Sequence, residues 1–214
     1  MKEIIQRSAG FYYSFFLLVF VGALYLSFLY EHGAWVLWFC ENFNPTIYLV
    51  FEYITVFGEP QIVVPFIAII FLLNYGRGAL LFLSWSLASL LTIVLKGLIA
   101  NHRPAYYFED IFTSCAGEIK LWFHLSTPSG HTTAAFAFFA AMALLSRNKA
   151  LQFLFLLAAL CIGLSRMVLF MHFFYDVYFG AIIGSLVPIV LYWLLEKRNY
   201  FKYNSWKDRS WIKL

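Results

Sequence analysis

Six apolar runs, at residues 11–30, 61–73, 79–95, 132–145, 150–165 and 177–195, dominate this chain. A bilayer offers no water to backbone N–H and C=O groups, so a run that crosses it folds as a helix, which satisfies those groups internally. The pattern therefore predicts an all-α polytopic membrane protein, a six-transmembrane-helix bundle. Composition agrees. Hydrophobic residues are 63% of the chain and charged residues 12%, with a mean hydropathy of +0.77, whereas a soluble domain carries roughly a quarter charged residues. The 25 Phe, 14 Tyr and 7 Trp suit lipid-facing packing and interfacial belts. No linker or internal repeat divides the chain, so residues 1–214 read as a single membrane-embedded domain.

Several runs fall short of the ~20 residues that a straight crossing needs. The short ones adjoin polar residues, which implies that polar chemistry occupies their outer turns. The region 33–57, aromatic with scattered acids, reads as an interfacial helix. The first run is too long for a signal-peptide core and lacks a small-x-small cleavage site after it, so it reads as a retained helix.

Charge sets the expected orientation. With both termini cytoplasmic and six crossings, residues 1–10, 74–78, 146–149 and 196–214 lie inside. They carry Lys2, Arg7, Arg77, Arg147, Lys149, Lys197, Arg198, Lys202, Lys207, Arg209 and Lys213, leaving only Lys96, Arg103, Lys120 and Arg166 outside. The positive-inside rule favours this arrangement. All five histidines, His32, His102, His124, His131 and His172, fall on the outer side with Asp176. Cys161 lies mid-helix. Cys40 and Cys115 both fall outside, where oxidation is possible, but the sequence does not place their Cα atoms, so their pairing stays open. The basic, aromatic tail 197–214 reads as a solvated or headgroup-binding stretch rather than a nucleic-acid site.

Three polar blocks interrupt the apolar chain: Lys96-x6-Arg103-Pro104, Pro128-Ser129-Gly130-His131, and Ser165-Arg166-x5-His172-x3-Asp176. Membrane proteins bury such groups mainly where they do chemistry or transport. A phosphoryl group in transfer spreads negative charge over three oxygens, and the protein chiefly positions it and stabilises that charge. Arg103 and Arg166 can each fork onto two oxygens, while Lys96 acts as a point charge. Lys96 and Arg103 are seven apart, about two turns, and so can share a helix face. Pro104 disfavours helix at Arg103 and predicts an end there. Ser129, Gly130 and His131 precede an apolar helix, which aims backbone N–H groups and the helix dipole at an anion, and Gly130 permits close approach. His172 and Asp176, four apart, face each other on one helical turn. A carboxylate on one imidazole nitrogen leaves the other free to attack. That makes His172 the candidate nucleophile and leaves His131 to protonate the leaving oxygen.

Other readings of the same residues stay open. Lys96 can snorkel to the interface. Arg103 and Arg166 can form structural ion pairs with Glu109, Asp110 or Glu118. Ser129 can simply cap its helix. His172 with Asp176 also has a zinc-ligand spacing. His32, His102 and His124 read as plain interfacial histidines.

The three blocks, in this order and spacing, resemble the full signature of the type 2 phosphatidic acid phosphatase superfamily. The signature covers 96–176, and the six-helix layout extends the likeness over most of the chain. The resemblance implies a metal-independent, cofactor-free lipid phosphatase with a phosphohistidine intermediate. His172 would be the nucleophile, Asp176 its orienting partner and His131 the acid. Lys96, Arg103, Ser129, Gly130 and Arg166 would hold the phosphate. Two positions depart from the usual pattern: Phe170 stands where a small residue is common, and Tyr175 where a small hydroxyl is common.

The expected activity is hydrolysis of a phosphomonoester or pyrophosphate on a membrane lipid at the outer face. Phosphatidic acid, phosphatidylglycerophosphate, undecaprenyl pyrophosphate and lipid A phosphates are candidate substrates, and headgroup choice falls to loops such as 105–127. A bacterial cytoplasmic membrane, with the site on the periplasmic or extracellular face, suits the layout. A phosphotransferase with the same intermediate is the near alternative. A lipid or anion transporter is the distant one, and it has no need of the His-x3-Asp pair.

Overall fold

The computed structural model describes residues 2–29, 31–117 and 119–197, and these contain helices, turns and no strand. The helices are α1 (Lys2–Arg7), α2 (Ala9–Phe28), α3 (Ala34–Glu41), α4 (Pro45–Val56), α5 (Pro60–Leu73), α6 (Tyr75–Ile99), α7 (Pro104–Ala116), α8 (Gly130–Leu145), α9 (Lys149–Val168) and α10 (Phe174–Lys197). Three start on asparagine caps. Asn44 accepts from the Thr46 and Ile47 amides, Asn74 from Arg77, and Asn148 from Ala150 and Leu151, which satisfies donors that the first turn leaves without partners. The tail beyond Lys197 lies outside the described residues.

Five spans are long and apolar enough to cross a membrane: Ala9–Leu26, Pro45–Leu73, Tyr75–Ile99, Lys149–Val168 and Phe174–Lys197. The sixth apolar helix, α8, has 16 residues. At 1.5 Å per residue it is about 24 Å long, shorter than the ~30 Å hydrocarbon layer. Its shortness is harmless because it stands at the centre, packed by α6, α9 and α10. Ala134, Ala135, Ala137, Ala140, Ala141 and Ala143 along it are buried, and such small side chains let helices approach closely. On α10, Gly180 and Gly184 meet this helix. A Cβ on Gly184 would sit 2.5 Å from the Thr133 carbonyl oxygen, and one on Gly180 2.9 Å from that of Ser129.

The second crossing corrects the sequence reading. Residues 33–57 do not form one interfacial helix. The short α3 stands apart, and α4 runs through the Phe57–Glu59 turn into α5 as one apolar span, Pro45–Leu73. Glu52, one of the acids in that region, and Glu59 just beyond it line a polar cleft instead.

The two ends of the bundle differ. At one end the buried Gln152 ties three segments together: its amide donates to the carbonyls of Arg7 and Ser146 at 2.9 Å each and its oxygen accepts from Gly10 at 2.9 Å. Arg7 also reaches the Tyr192 hydroxyl at 3.3 Å. Ile70 of α5 packs with Met142 and Leu145 at the same end. The expected inside pieces 1–10, 74–78 and 146–149 are thereby gathered together. At the opposite end α3 and α7 form a cap. Val36, Phe112, Phe170 and Phe173 pack into one cluster, and a disulfide joins Cys40 to Cys115 with Cα atoms 5.7 Å apart. The pairing left open by the sequence is therefore present.

Candidate active site

All three polar blocks arrive beneath that cap. Lys96 ends α6, and its ammonium donates to the carbonyls of Leu125 and Ser126, the latter at 3.3 Å. Ala100, with φ +50°, stops the helix. Lys96 and Arg103 thus do not share a helix face as their spacing suggested. Arg103 sits in the link that follows, extended at φ −84°, ψ 166° as a residue before proline must be, and Pro104 opens α7. The Arg103 Nε donates to the His124 carbonyl at 2.8 Å, and a terminal nitrogen reaches that of Met171 at 3.5 Å.

Ser129 is the N-cap residue of α8 and Gly130 its first residue. The Ser129 amide is already used, donating to the Asp176 carbonyl at 2.9 Å, and the Ser129 hydroxyl accepts from Thr132 at 2.9 Å. The first of these bonds withdraws the Ser129 amide from those that could face an anion, while the amides of Gly130 and His131, which no earlier helical carbonyl can take, stay available. His131 Nε2 lies 3.7 Å from a Glu59 carboxylate oxygen. Arg166, in the last turn of α9, is buried; it donates to the Thr55 hydroxyl at 2.6 Å and its second terminal nitrogen touches the Met171 sulfur. Its Nε is buried with no partner. Neither arginine makes an ion pair with Glu109 or Asp110 among the described residues, and Glu118 lies outside them.

His172 and Asp176 meet in a different way from the expected helical turn. His172 precedes α10, while Asp176 is the third residue of that helix and accepts the Phe173 amide at 2.9 Å. This is the reciprocal half of a capping box. It points the carboxylate back at His172, whose Nδ1 lies 3.4 Å from Oδ2. The Ser126 and Thr127 hydroxyls donate to the two carboxylate oxygens, and Ser126 Oγ also lies 3.3 Å from His172 Nδ1. Every neighbour of Nδ1 is then an acceptor, which places the imidazole proton there and leaves Nε2 with its lone pair. Burial holds His172 neutral, pushing its pKa down to about 3 even though Asp176 acts in the opposite direction.

Six of the eight residues singled out in the sequence, Lys96, Arg103, Gly130, His131, Arg166 and His172, line one cleft of about 680 Å³. Ser129 and Asp176 stand behind its wall, fully buried. The sequence reading missed Ser126, Thr127, Thr55 and Glu59. The first two adjoin Pro128 and were visible as a hydroxyl pair beside a motif. Thr55, on α4, and Glu59, in the turn before α5, come from a distant part of the chain and carried no signal of their own.

The description "PAP2 superfamily" belongs to a family model that matches residues 77–200, which takes in all three blocks. Two curated relatives, both named lipid A 1-phosphatase, come from Rhizobium etli and Rhizobium johnstonii. They are 33% identical over 121 and 108 residues, covering 54% and 50% of this chain and 50% and 43% of theirs. The chain thus spans about half the length of these relatives. The crystal structure of Aquifex aeolicus LpxE superposes with a TM-score of 0.64 at 24% identity, over 72% of this chain and 90% of that one. That of a transmembrane PAP2 type phosphatidylglycerolphosphate phosphatase from Bacillus subtilis gives 0.61 at 24%, over 86% and 95%. At such identity these two likenesses concern the fold. A family match over more than half the chain, on a membrane bundle that brings the three blocks to one cleft, means that this chain belongs to the PAP2 superfamily.

Proposed function

We propose that this protein hydrolyses a phosphomonoester or pyrophosphate on a membrane lipid through a phosphohistidine at His172. The observation that carries the reading is the pairing of His172 Nδ1 with the buried Asp176, which leaves Nε2 at a cleft that Lys96, Arg103 and Arg166 also line. The names of the relatives, lipid A 1-phosphatase and phosphatidylglycerolphosphate phosphatase, lend support.

In the first step the Nε2 lone pair of neutral His172 attacks phosphorus and the bond to the lipid oxygen breaks. His131, protonated once the substrate's negative charge offsets the cations around it, gives its proton to that oxygen. The ring of His172 becomes cationic, and the Asp176 carboxylate beside Nδ1 stabilises it. In the second step water attacks the phosphohistidine, His131 takes the water proton, and inorganic phosphate leaves. Lys96, Arg103, Arg166 and the Gly130 and His131 amides neutralise the equatorial oxygens. A Cβ at Gly130 would meet nothing in the protein closer than 3.9 Å. Packing therefore does not require glycine there, and close approach of a substrate oxygen does.

The cleft is read as facing the extracytoplasmic side. The disulfide in its cap supports this, since disulfides persist in oxidising compartments, and so does the basic opposite end. The reaction needs no divalent cation on this reading, because three protein cations serve the phosphate and His172 Nδ1 and Asp176 are engaged with each other.

The test is phosphate release by purified protein in detergent with chelator present, across phosphatidate, phosphatidylglycerophosphate, undecaprenyl pyrophosphate and lipid A 1-phosphate. At least one should be hydrolysed. His172→Ala should abolish both turnover and acid-labile label from a 32P substrate, while Asp176→Asn keeps the fold and loses most of the rate. Activity that vanishes in chelator and returns with one metal would overturn the reading and make His172 and Asp176 ligands.

A further inference from the structure

The cleft holds a fourth cation that no signature block contains. Lys120, in the link between α7 and α8, lines it together with Trp122. The Lys120 ammonium lies 4.7 Å from the centre of the Trp122 ring, and the Arg103 guanidinium carbon 5.9 Å from the same centre. One aromatic ring is thus within reach of both a signature arginine and a lysine outside the signature.

The four cations differ in what holds them. Lys96 is tied to the carbonyls of Leu125 and Ser126, Arg103 to that of His124, and Arg166 to Thr55. Lys120 makes no hydrogen bond or ion pair among the described residues, only its contact with the Trp122 ring. A cation resting on an aromatic face keeps its donors free, and the ring limits where its stem can go. Lys120 and Trp122 line the same cleft as Arg103 and His172, and the free ammonium is available to a part of the headgroup other than the reacting phosphate, which already has three cations of its own.

We propose that Lys120 and Trp122 form a headgroup subsite for a second phosphate, so that the enzyme favours lipids whose headgroup carries two phosphates over lipids with one. The inference rests on the proposed phosphatase reading and adds the substrate class. Two phosphates joined by an anhydride oxygen or by glycerol place one anion at His172 and the next along the ring toward Lys120. Phosphatidate has nothing to offer there.

The experiment compares kcat/KM for phosphatidylglycerophosphate, undecaprenyl pyrophosphate and phosphatidate in one neutral detergent, with wild type, Lys120→Gln and Trp122→Leu. Lys120→Gln should lose about fivefold or more on the two diphosphorylated lipids, mainly in KM, and less than twofold on phosphatidate; partly exposed charge pairs have effects of this order. Lys120→Arg should restore most of the loss. Trp122→Leu should lose in the same selective direction. An equal loss on all three lipids would make Lys120 a general attractor of anions and overturn the subsite, as would no loss at all. If wild type releases no phosphate from any lipid, the phosphatase reading itself falls, which is a distinguishable result.

Discussion

Asp176 takes on four donors at once. Ser126, Thr127, the Phe173 amide and the His172 imidazole all point at one fully buried carboxylate. Such a charge is stable in an apolar interior because each lone pair has a partner, and His172 inherits its tautomer from that arrangement. His131 has a looser setting, half exposed to the cleft with Glu59 3.7 Å away. The contrast suits a fixed nucleophile and an acid that must exchange protons with water. It leads to a prediction about leaving groups. A lipid alkoxide departs poorly without a proton, whereas a nitrophenolate departs readily. His131→Ala should be about 10- to 100-fold more damaging on phosphatidate than on an aryl phosphate, inside the ~10²–10⁴-fold that acid catalysis supplies. Steady-state rates on the two substrates measure this. Leaving-group dependence in His172→Ala, with none in His131→Ala, would show the two roles reversed.

Helix ends, more than helix faces, assemble the site. Lys96 and Arg166 close α6 and α9, Gly130 and Asp176 open α8 and α10, and Arg103 precedes α7. Three non-glycine residues with left-handed backbone, Ala100, Leu125 and Phe170, stand beside these ends. Such residues cluster at functional sites where the surroundings hold them. Phe170 is held by stacking on Phe112, with ring centres 4.6 Å apart, which accounts for a large side chain where the family often has a small one. These facts mark what was legible. Apolar runs and motif spacing revealed the crossings and six cleft-lining residues. Spacing alone misled where an element ended early, as between Lys96 and Arg103, or where a polar residue served a cleft, as with Glu52. The central packing gives the element-scale prediction. Gly184→Ala would drive a Cβ to 2.5 Å from the Thr133 carbonyl oxygen, whereas Gly97→Ala meets nothing within 4 Å. Overpacking of this kind typically costs about 1–3 kcal/mol, and alanine in an open helical site gains up to about 1 kcal/mol over glycine. Thermal unfolding in detergent should show Gly184→Ala several degrees below wild type and Gly97→Ala at or above it. Equal midpoints for the two variants would refute the tight α8–α10 seam.

At the scale of the whole molecule, charge is divided between two ends for two different reasons. One end collects Arg7, Arg77, Arg147 and Lys149 at helix ends and in the turn between α8 and α9, positions suited to water and anionic headgroups. The other collects Lys96, Arg103, Arg166 and Lys120 around the cleft to which the phosphatase reading assigns the substrate. Only the first group bears on insertion, because the rule that sets orientation counts basic residues in short loops near helix ends. The cap over the cleft is closed by the Cys40–Cys115 disulfide, which a reducing cytoplasm would open. Both features favour the proposed orientation, with the cleft facing away from the cytoplasm, and it can be checked on intact cells. Asp110 lies exposed on α7 of the cap, and Arg147 lies exposed in the turn between α8 and α9. Each is replaced singly, as Asp110→Cys and Arg147→Cys, in a Cys161→Ser background that keeps the disulfide, so that the new thiol is the one that reacts. A membrane-impermeant maleimide should label Asp110→Cys in cells whose cytoplasmic membrane is intact and label Arg147→Cys only after that membrane is broken. The opposite pattern would turn the bundle over, placing the cleft against the cytoplasmic leaflet and its substrates in that pool.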